Sequence, residues 1–241
     1  MYRIMAKHKQ TVVRHQAHPH VYTKPELLAT HPNELWSWDI TKLRGPIKWT
    51  YFYLYVLLDV FSRFVVGWML AVKESAELAK TLITESYERQ HVAPGTLTVH
   101  ADNGKPMVAL TVGELMVNLG VEKSHSRPHT SNDNPYSEAL FKTVKYCPQF
   151  PDRFSSFDEA RKFCRDFFTW YNYEHRHSGI AMLTPASVHL GQAHVILSNR
   201  SSVLAQAYER HPERFVKGHP VVKPLPEAVW INPPVIVKNA V

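Results

Sequence analysis

A regular alternation of apolar and polar residues begins shortly after residue 33. In the run Trp36-Ser37-Trp38-Asp39-Ile40-Thr41 the apolar side chains alternate with Ser, Asp and Thr, which is the period of two of a half-buried strand. Residues 49–58 are almost all aromatic or aliphatic and predict a central strand. Residues 63–70 predict a third strand. Because the connections between these runs are short, we expect an antiparallel meander.

Helical periodicity then alternates with short strand-like runs. Residues 74–90 predict a helix that Ser75 can cap. A strand over 96–99, a helix over 108–119 and a strand over 121–125 are expected next. This order after a meander predicts the α/β class, with a mixed five-stranded sheet flanked by helices.

Helices dominate the remainder of the chain. Asn134 as N-cap and Pro135 at the first position favour a helix start, and the apolar spacing directs Tyr136, Ala139, Leu140 and Val144 toward the core. Further elements are expected in this order: a helix over 157–175, a short helix from Pro185, a helix over 202–210, and a Pro-rich tail with a strand at 235–237.

Three segments are predicted from these patterns. Residues 1–33 are basic, contain three prolines and show no clear period, so we expect an extended arm or linker. Residues 34–190 form the predicted core domain, and residues 191–241 form a helix followed by a Pro-rich basic tail. A length of 241 residues is compatible with one good-sized domain that carries extensions.

The charge balance narrows the class of partner. A net charge of +7 and an isoelectric point of about 9.3 fit a polyanion, either nucleic acid or an anionic membrane. The longest apolar run, Tyr51 to Leu58, is well short of the roughly 20 residues that a spanning helix needs, so we expect no membrane partner. The first seven residues do not resemble a signal peptide, and Cys147 and Cys164 are interpreted as free thiols. These features predict a cytoplasmic protein.

Three acidic residues are candidates for chemistry, although each has an ordinary explanation. Asp39 is unusual inside a strand, yet polar residues on one strand face are common. Asp102 precedes Asn-Gly, which suits a turn, but it also follows a strand end, where open sheets place ligands. Glu138 lies in the first turn of its helix, where it complements the helix dipole and can pair with Lys142.

Taken together, these residues suggest a metal site. A carboxylate on a central strand, one at a neighbouring strand end and one on a crossing helix could hold two Mg²⁺ or Mn²⁺ ions. One ion would activate the attacking oxygen and the other would stabilise the leaving oxygen of a phosphodiester. Asp59, in contrast, is interpreted as a strand-connection residue.

An ordered set of motifs resembles the DDE integrase core, and the 35 residues between Asp102 and Glu138 match the spacing of that family. The motifs are Trp38-Asp39-Ile40-Thr41, Leu58-Asp59-Val60-Phe61-Ser62-Arg63, Val66-Gly67-Trp68, His100-Ala101-Asp102-Asn103-Gly104 and Glu138-Ala139-Leu140-Phe141-Lys142-Thr143-Val144-Lys145. Residues 171–179 and Leu183-Thr184-Pro185 are similar to the C-terminal signature of OrfB-type insertion-sequence transposases. The resemblance covers roughly residues 34–190.

The resemblance implies an RNase H-like fold with Asp39, Asp102 and Glu138 as the catalytic, metal-binding triad. The implied reaction is cleavage of DNA strands at element ends, followed by attack of a 3′-hydroxyl on target DNA. In this family the lysines four and seven residues beyond the Glu lie on the DNA side, which corresponds to Lys142 and Lys145.

Lys105 and Arg127 flank the same acidic residues. They are either solvated surface residues or neutralise DNA phosphates beside the metals. The chain departs from the family in having Ala101, Asn103 and Lys105 in the motif that commonly reads His-Ser-Asp-Arg-Gly-Ser.

The expected partners follow from the same resemblance. They are DNA, as element ends and target duplex, and further copies of the chain, since joining two ends requires two active sites held together. The helix–turn–helix region that usually precedes this core is not found in these residues, so a separate DNA-binding subunit or frame is also expected. The implied location is the nucleoid of a prokaryotic cell.

Two alternatives remain open on the sequence. One is a metal-dependent nuclease of the same fold, with water as its only nucleophile. The other is a non-catalytic, basic DNA-binding or assembly subunit, whose binding would be sensitive to salt and independent of Mg²⁺. The presence of all three acidic residues argues against the second.

Overall fold

This computed structural model describes residues 24–127, 130 and 133–234. Its elements are β1 (Leu27–Ala29), β2 (Leu35–Arg44), β3 (Tyr51–Asp59), β4 (Val65–Ala71), α1 (Ala76–Arg89), β5 (Thr98–Ala101), α2 (Leu110–Asn118), β6 (Glu122–His125), α3 (Pro135–Lys145), α4 (Phe157–Tyr173), α5 (Pro185–His189), α6 (Ala193–Arg210) and β7 (Val229–Ile231). Most of the predicted N-terminal arm and the predicted strand at 235–237 lie outside the described residues.

A mixed five-stranded sheet with the order β4-β3-β2-β5-β6 forms the centre of the fold. Strands β2, β3 and β4 pair antiparallel as the predicted meander, whereas β5 and β6 run parallel to β2. The predicted α/β fold, with a mixed five-stranded sheet and flanking helices, is confirmed. None of the helices found in 24–127 and 133–234 is both long and apolar enough to cross a membrane.

The alternation along β2 gives its two faces different neighbours. Trp36 and Trp38 are fully buried in the hydrophobic cluster that includes residues of α1 and α2. Leu43 lies on the opposite face, in the cluster with residues of α3 and α4. Because side chains alternate along a strand, Asp39 and Thr41 lie on the same face as Leu43, toward α3.

Several helix boundaries match the sequence pattern, and two predictions do not. Ser75 caps α1 by accepting a hydrogen bond from the Glu77 backbone nitrogen at 3.2 Å. Helix α6 begins at Ala193 rather than at residue 202. The prediction that Ala139 faces the core is wrong: it is exposed, because α3 turns Ser137 and Phe141 inward instead.

A small antiparallel sheet joins the two ends of the described chain. Strand β1 pairs with β7, with Leu27 opposite Ile231, and both strands contribute to a third hydrophobic cluster. The Tyr136 hydroxyl donates to the Trp230 carbonyl at 2.9 Å, which links β7 to the start of α3. This sheet was not predicted, since strands of three residues carry little periodicity.

Candidate active site

The register between β2 and β5 places Asp39 beside Asp102. The parallel pairing of these strands ends with Trp38 opposite Ala101, and the two aspartates are the next residue on each chain. Neighbouring strands lie about 4.8 Å apart, so the two carboxylates project from adjacent backbone positions. Both lie at the carboxyl end of the parallel pairing, where open sheets commonly bind ligands.

Helix α3 crosses β2 above Asp39 and brings Glu138 to the same place. At one end of the crossing, the Ser37 hydroxyl is hydrogen-bonded to the Ser137 hydroxyl. At the other end, Lys145 Nζ donates to Thr41 Oγ1 at 2.7 Å. Since Ser37 and Thr41 flank Asp39 on one strand face, the helix passes over that carboxylate, with Glu138 in its first turn.

The N-cap residue of α3 bonds to strand β2 instead of capping its own helix. Asn134 makes no side-chain cap bond to its own helix. Its side-chain amide instead accepts from the Ser37 hydroxyl and donates to the Trp38 carbonyl at 3.4 Å. The start of α3 is therefore bonded to the strand that carries Asp39.

The electrostatics show that the three carboxylates interact. Burial raises the pKa of Asp39 to about 7, and the negative charges of Asp102 and Glu138 add to this increase. A hydrogen bond from the Ile40 backbone nitrogen, at 2.7 Å, and the charge of Lys145 act in the opposite direction on this pKa. A partly buried carboxylate beside two like charges is costly to ionise, and a bound cation would reduce that cost.

Neutral hydrogen-bonding groups hold Asp102. The Ser126 hydroxyl donates to Asp102 Oδ1 at 2.6 Å, and the Asn103 side-chain amide donates to the Ser126 carbonyl at 2.7 Å. His100, on the strand β5 that precedes Asp102, is hydrogen-bonded through Nε2 to the Asp133 carbonyl at 2.8 Å. Burial lowers the pKa of His100, which favours the neutral ring. These contacts orient Asp102 without adding further charge.

The carboxylate oxygens of the site are suitable ligands for a hard divalent cation, although they do not yet surround one ion position. Carboxylate oxygens are the ligands that Mg²⁺ and Mn²⁺ prefer. The pKa of Asp39 is raised mainly by burial and further by the negative charges of Asp102 and Glu138, and a bound cation would offset both effects. Across the described parts of the chain, no group of three or more His, Cys, Asp or Glu side chains converges closely enough to hold a metal ion. Coordination by all three carboxylates therefore requires a side-chain adjustment.

The four predicted DNA-contacting residues have different surroundings. Lys105 and Lys142 are exposed. Lys145 is bonded to Thr41; burial lowers its pKa, while the nearby Asp39 acts to raise it. Arg127 forms an ion pair within the chain: its Nε and Nη2 donate to the Asp133 carboxylate at 2.9 and 3.0 Å.

Asp133 is a structural residue that the sequence pattern did not single out. Its buried carboxylate also accepts from the Arg127 backbone nitrogen at 3.0 Å and from the Asn232 amide at 2.8 Å. The hydrogen bonds from Arg127 hold the pKa of Asp133 down at about 2. This carboxylate therefore links the segment after β6, the start of α3 and the C-terminal segment after β7.

Asp59 and Arg63 stabilise the segments that surround the candidate active site. Asp59 is buried and accepts at 2.7 Å from the backbone nitrogens of Asn33 and Ser62, in keeping with its interpretation as a strand-connection residue. The Arg63 guanidinium lies 4.2 Å from the centre of the Tyr136 ring. Because Tyr136 is in the first turn of α3, this stacking supports the helix that carries Glu138.

The fold and the site together define an RNase H-like α/β protein with three candidate acidic residues near the central strands. Two models of the integrase core domain match residues 29–131 and 119–185. Together these two matches extend over residues 29–185, so this part of the chain is an integrase core domain.

Curated relatives of the chain are insertion-sequence transposases. The transposase for insertion sequence element IS904 of Lactococcus lactis subsp. lactis (strain IL1403) is 31% identical over 161 residues, which cover 65% of this chain and 61% of the relative. Transposase InsF for insertion sequence IS3A of Escherichia coli (strain K12) is 27% identical over 188 residues, covering 76% and 64%. The predicted resemblance is confirmed, and the chain spans less than two thirds of the length of these relatives.

Solved integrase structures share the fold. A chain of the simian T-cell lymphotropic virus intasome, in complex with PP2A regulatory subunit B56 gamma, matches with a TM-score of 0.51 and 17% identity, covering 67% of this chain and 55% of that one. The HTLV-2 integrase catalytic core domain in complex with magnesium (trimeric form) matches with a TM-score of 0.50 and 16% identity, covering 66% and 97%. These similarities support the RNase H-like architecture.

Proposed function

We propose that this chain is the catalytic part of a bacterial insertion-sequence transposase. It cleaves DNA strands at element ends with a divalent metal and transfers the 3′-hydroxyl into target DNA. The observation that supports this proposal is the position of Asp39 beside Asp102, within electrostatic reach of Glu138 on α3, in a chain with an integrase core domain. The transposases of IS904 and IS3 among its relatives point to the same activity.

Asp39, Asp102 and Glu138 are proposed to hold two Mg²⁺ or Mn²⁺ ions. Such a pair, when bound, activates the attacking oxygen and stabilises the leaving oxygen. The chain contributes the positions of the ligands: strand pairing fixes Asp39 beside Asp102, and Ser126 orients Asp102 Oδ1. The magnesium named for the HTLV-2 integrase core is compatible with this choice of metal.

Basic side chains around the triad are proposed to bind the phosphates of the DNA. Lys145, bonded to Thr41 and close to Asp39, is in the best position to neutralise the phosphate nearest the site. Lys142 and Lys105 extend the positive surface. Arg127 would contact DNA while it remains paired with Asp133, so its contribution should be the smallest.

The partners and location are proposals of the same kind. We propose that the chain oligomerises on DNA at the nucleoid, with end recognition supplied by a separate helix–turn–helix subunit or frame. The division into an arm over 1–33, a core over 34–190 and a tail over 191–241 is retained as a proposal. The pairing of β1 with β7 supports a close attachment of both flanking segments to the core.

A strand-joining assay tests this function. DNA ends with a pre-cut 3′-hydroxyl are mixed with a target duplex and Mg²⁺ or Mn²⁺, with and without a candidate DNA-binding partner. We expect products longer than the input DNA, whereas shortened products alone would indicate a nuclease.

Asp102→Asn should abolish joining and leave DNA binding nearly intact, because one metal ligand is lost without a change in fold. The exposed Asp166→Asn is the control, and wild-type joining by Asp102→Asn would refute the proposal.

A further inference from the structure

The hairpin tip between β2 and β3, residues 45–50, presents exposed apolar side chains. Ile47 is 68% exposed and Trp49 is 76% exposed. The backbone of Trp49 has a φ of +74°, in the left-handed region that bulky residues rarely adopt. Such a conformation is strained for a residue with a side chain and often marks a functional position. A large, exposed aromatic residue held in this way is not explained by packing.

The hairpin tip is held rigidly from within and from a neighbouring loop. The Gly45 nitrogen donates to the Thr50 carbonyl at 2.9 Å, and the Thr50 nitrogen donates to the Ile47 carbonyl at 3.0 Å. Arg153 Nη1 donates to the carbonyls of Gly45 and Ile47 at 3.2 and 3.3 Å. A side chain at position 45 would collide with Thr50, so the close approach requires glycine. The loop is therefore preorganised to present Trp49.

A basic surface connects the hairpin tip with the candidate active site. A groove of about 490 Å³ is lined by Lys42, Arg44, Lys145, Phe150, Pro151 and Asp152. It begins at Lys145, which is close to Asp39, and continues along β2 toward the tip, where Lys48 Nζ lies 5.5 Å from the centre of the Trp49 ring. Asp152 is the single acidic residue in the lining, and it is paired with Arg44 at 2.6 Å.

We propose that the hairpin tip, with Arg44 beside it, binds DNA at a distance from the reacting phosphodiester. Arg44 lies five residue steps beyond Asp39 along β2, which corresponds to about 17 Å. The phosphates of one DNA strand repeat every 3.4 Å along the helix axis, so a contact displaced by this distance along the axis lies roughly five nucleotides from the site. Arg44 and Lys48 bind phosphates, and Trp49 packs against a sugar or base. The inference rests on the proposed function, because it takes DNA as the ligand of the active site.

The chemistry of the hairpin tip favours DNA over a protein partner. Aromatic side chains set among basic ones are typical of nucleic-acid surfaces, where cations bind phosphates and rings stack on bases or sugars. The groove that continues to the active site has an excess of positive charge. A second copy of this chain carries the same net charge of +7, so long-range electrostatics favour a polyanion over another copy at this surface.

The first test measures binding of the full chain to a fluorescent DNA duplex, in EDTA, over a series of salt concentrations. Arg44→Ala/Lys48→Ala should weaken binding about tenfold at low salt and reduce the slope of log affinity against log salt by about 2, since two phosphate contacts are lost. The control Arg210→Ala/Lys217→Ala removes the same charge from exposed positions near the C-terminal end of α6. We expect the control to change affinity by less than about twofold.

The second variant separates binding from folding. Trp49→Gly removes the aromatic ring and relieves the positive φ, so the protein should melt at or above the wild-type temperature. Its affinity for DNA should nevertheless fall about fivefold, with an unchanged salt slope, because stacking rather than charge is lost.

Several results would overturn the proposal. An equal loss of affinity in the tip and control double variants would show a general charge effect. Wild-type affinity in Trp49→Gly would exclude a contact through the ring. A changed sedimentation behaviour with unchanged DNA affinity would make the hairpin tip an interface between copies of the chain. Failure of the wild type to join strands with Mg²⁺ would refute the proposed function alone, since DNA binding is measured without metal.

Discussion

Replacing Asp39 by Asn should stabilise the metal-free protein at neutral pH, although it removes a proposed metal ligand. Burial, together with the charges of Asp102 and Glu138, raises the pKa of Asp39 from 3.8 to about 7. The ionised carboxylate is therefore unfavourable in the folded chain and favourable in the unfolded chain. Asn has nearly the same shape and can still accept the hydrogen bond from the Ile40 nitrogen.

The magnitude follows from the difference in pKa between the two states. A group whose folded pKa is raised contributes stability that is fully present below the unfolded pKa and is lost as the pH rises through the folded pKa. At 1.36 kcal/mol for each pKa unit, the loss for Asp39 approaches about 4 kcal/mol above pH 7 and is below about 1 kcal/mol near pH 4. Each kcal/mol shifts the melting temperature of a domain of this size by about 2 to 4 °C.

Thermal melting in EDTA from about pH 4 to pH 8 measures this effect. The difference in melting temperature between Asp39→Asn and the wild type should grow with pH, to at least about 4 °C at pH 8. Adding Mg²⁺ should then stabilise the wild type more than the variant, because the ion binds the folded state through the carboxylates. Asp166→Asn, an exposed carboxylate paired with Lys162, serves as the control and should show neither trend.

Two outcomes would refute this reasoning. Equal melting temperatures of Asp39→Asn and the wild type at pH 8 would show that the Asp39 carboxylate is not destabilised in the folded chain. A Mg²⁺-dependent stabilisation of equal size in both proteins would show that Asp39 does not take part in binding the ion.

Two further predictions concern the support of the site. Ser126→Ala should lower strand joining about tenfold with unchanged DNA binding, because Asp102 loses the donor that orients it; equal joining rates would contradict this role. Asp133→Asn should destabilise the fold by about 2 kcal/mol at pH 7, measured by urea unfolding. Since the pKa of Asp133 is lowered to about 2, this contribution is present above pH 4 and lost as the pH falls toward 2; a difference from the wild type that persists at low pH would contradict it.

Local patterns predicted the five strands of the central sheet, most of the helices and the positions of the three candidate acidic residues along them. The alternation in β2 and the apolar run in β3 predicted the strands, and Ser75 marked the start of α1. Asp102 after a strand and Glu138 at a helix start were recognisable because strand ends and helix starts have short-range signals. Each of these features depends on residues that are close together in the chain.

The contacts around the site depend on residues that are distant in the chain. The side chains that place α3 over β2, Ser37 with Ser137 and Thr41 with Lys145, are each about a hundred residues apart. A period of two or 3.6 gives the face of a residue but not its partner on another element, and a one-residue change of register would reverse the faces.

Some further features of the structure also have no short-range signal in the sequence. Arg127 was a candidate for DNA contact, and only the tertiary structure shows its pairing with Asp133. The sheet of β1 and β7 and the positive φ of Trp49 have no periodic signal in the sequence. By itself the sequence determined the five strands of the central sheet, most of the helices and the three acidic residues that are candidates for the site. The tertiary structure decided how closely those carboxylates meet, because burial and charge proximity arise only when distant segments pack together.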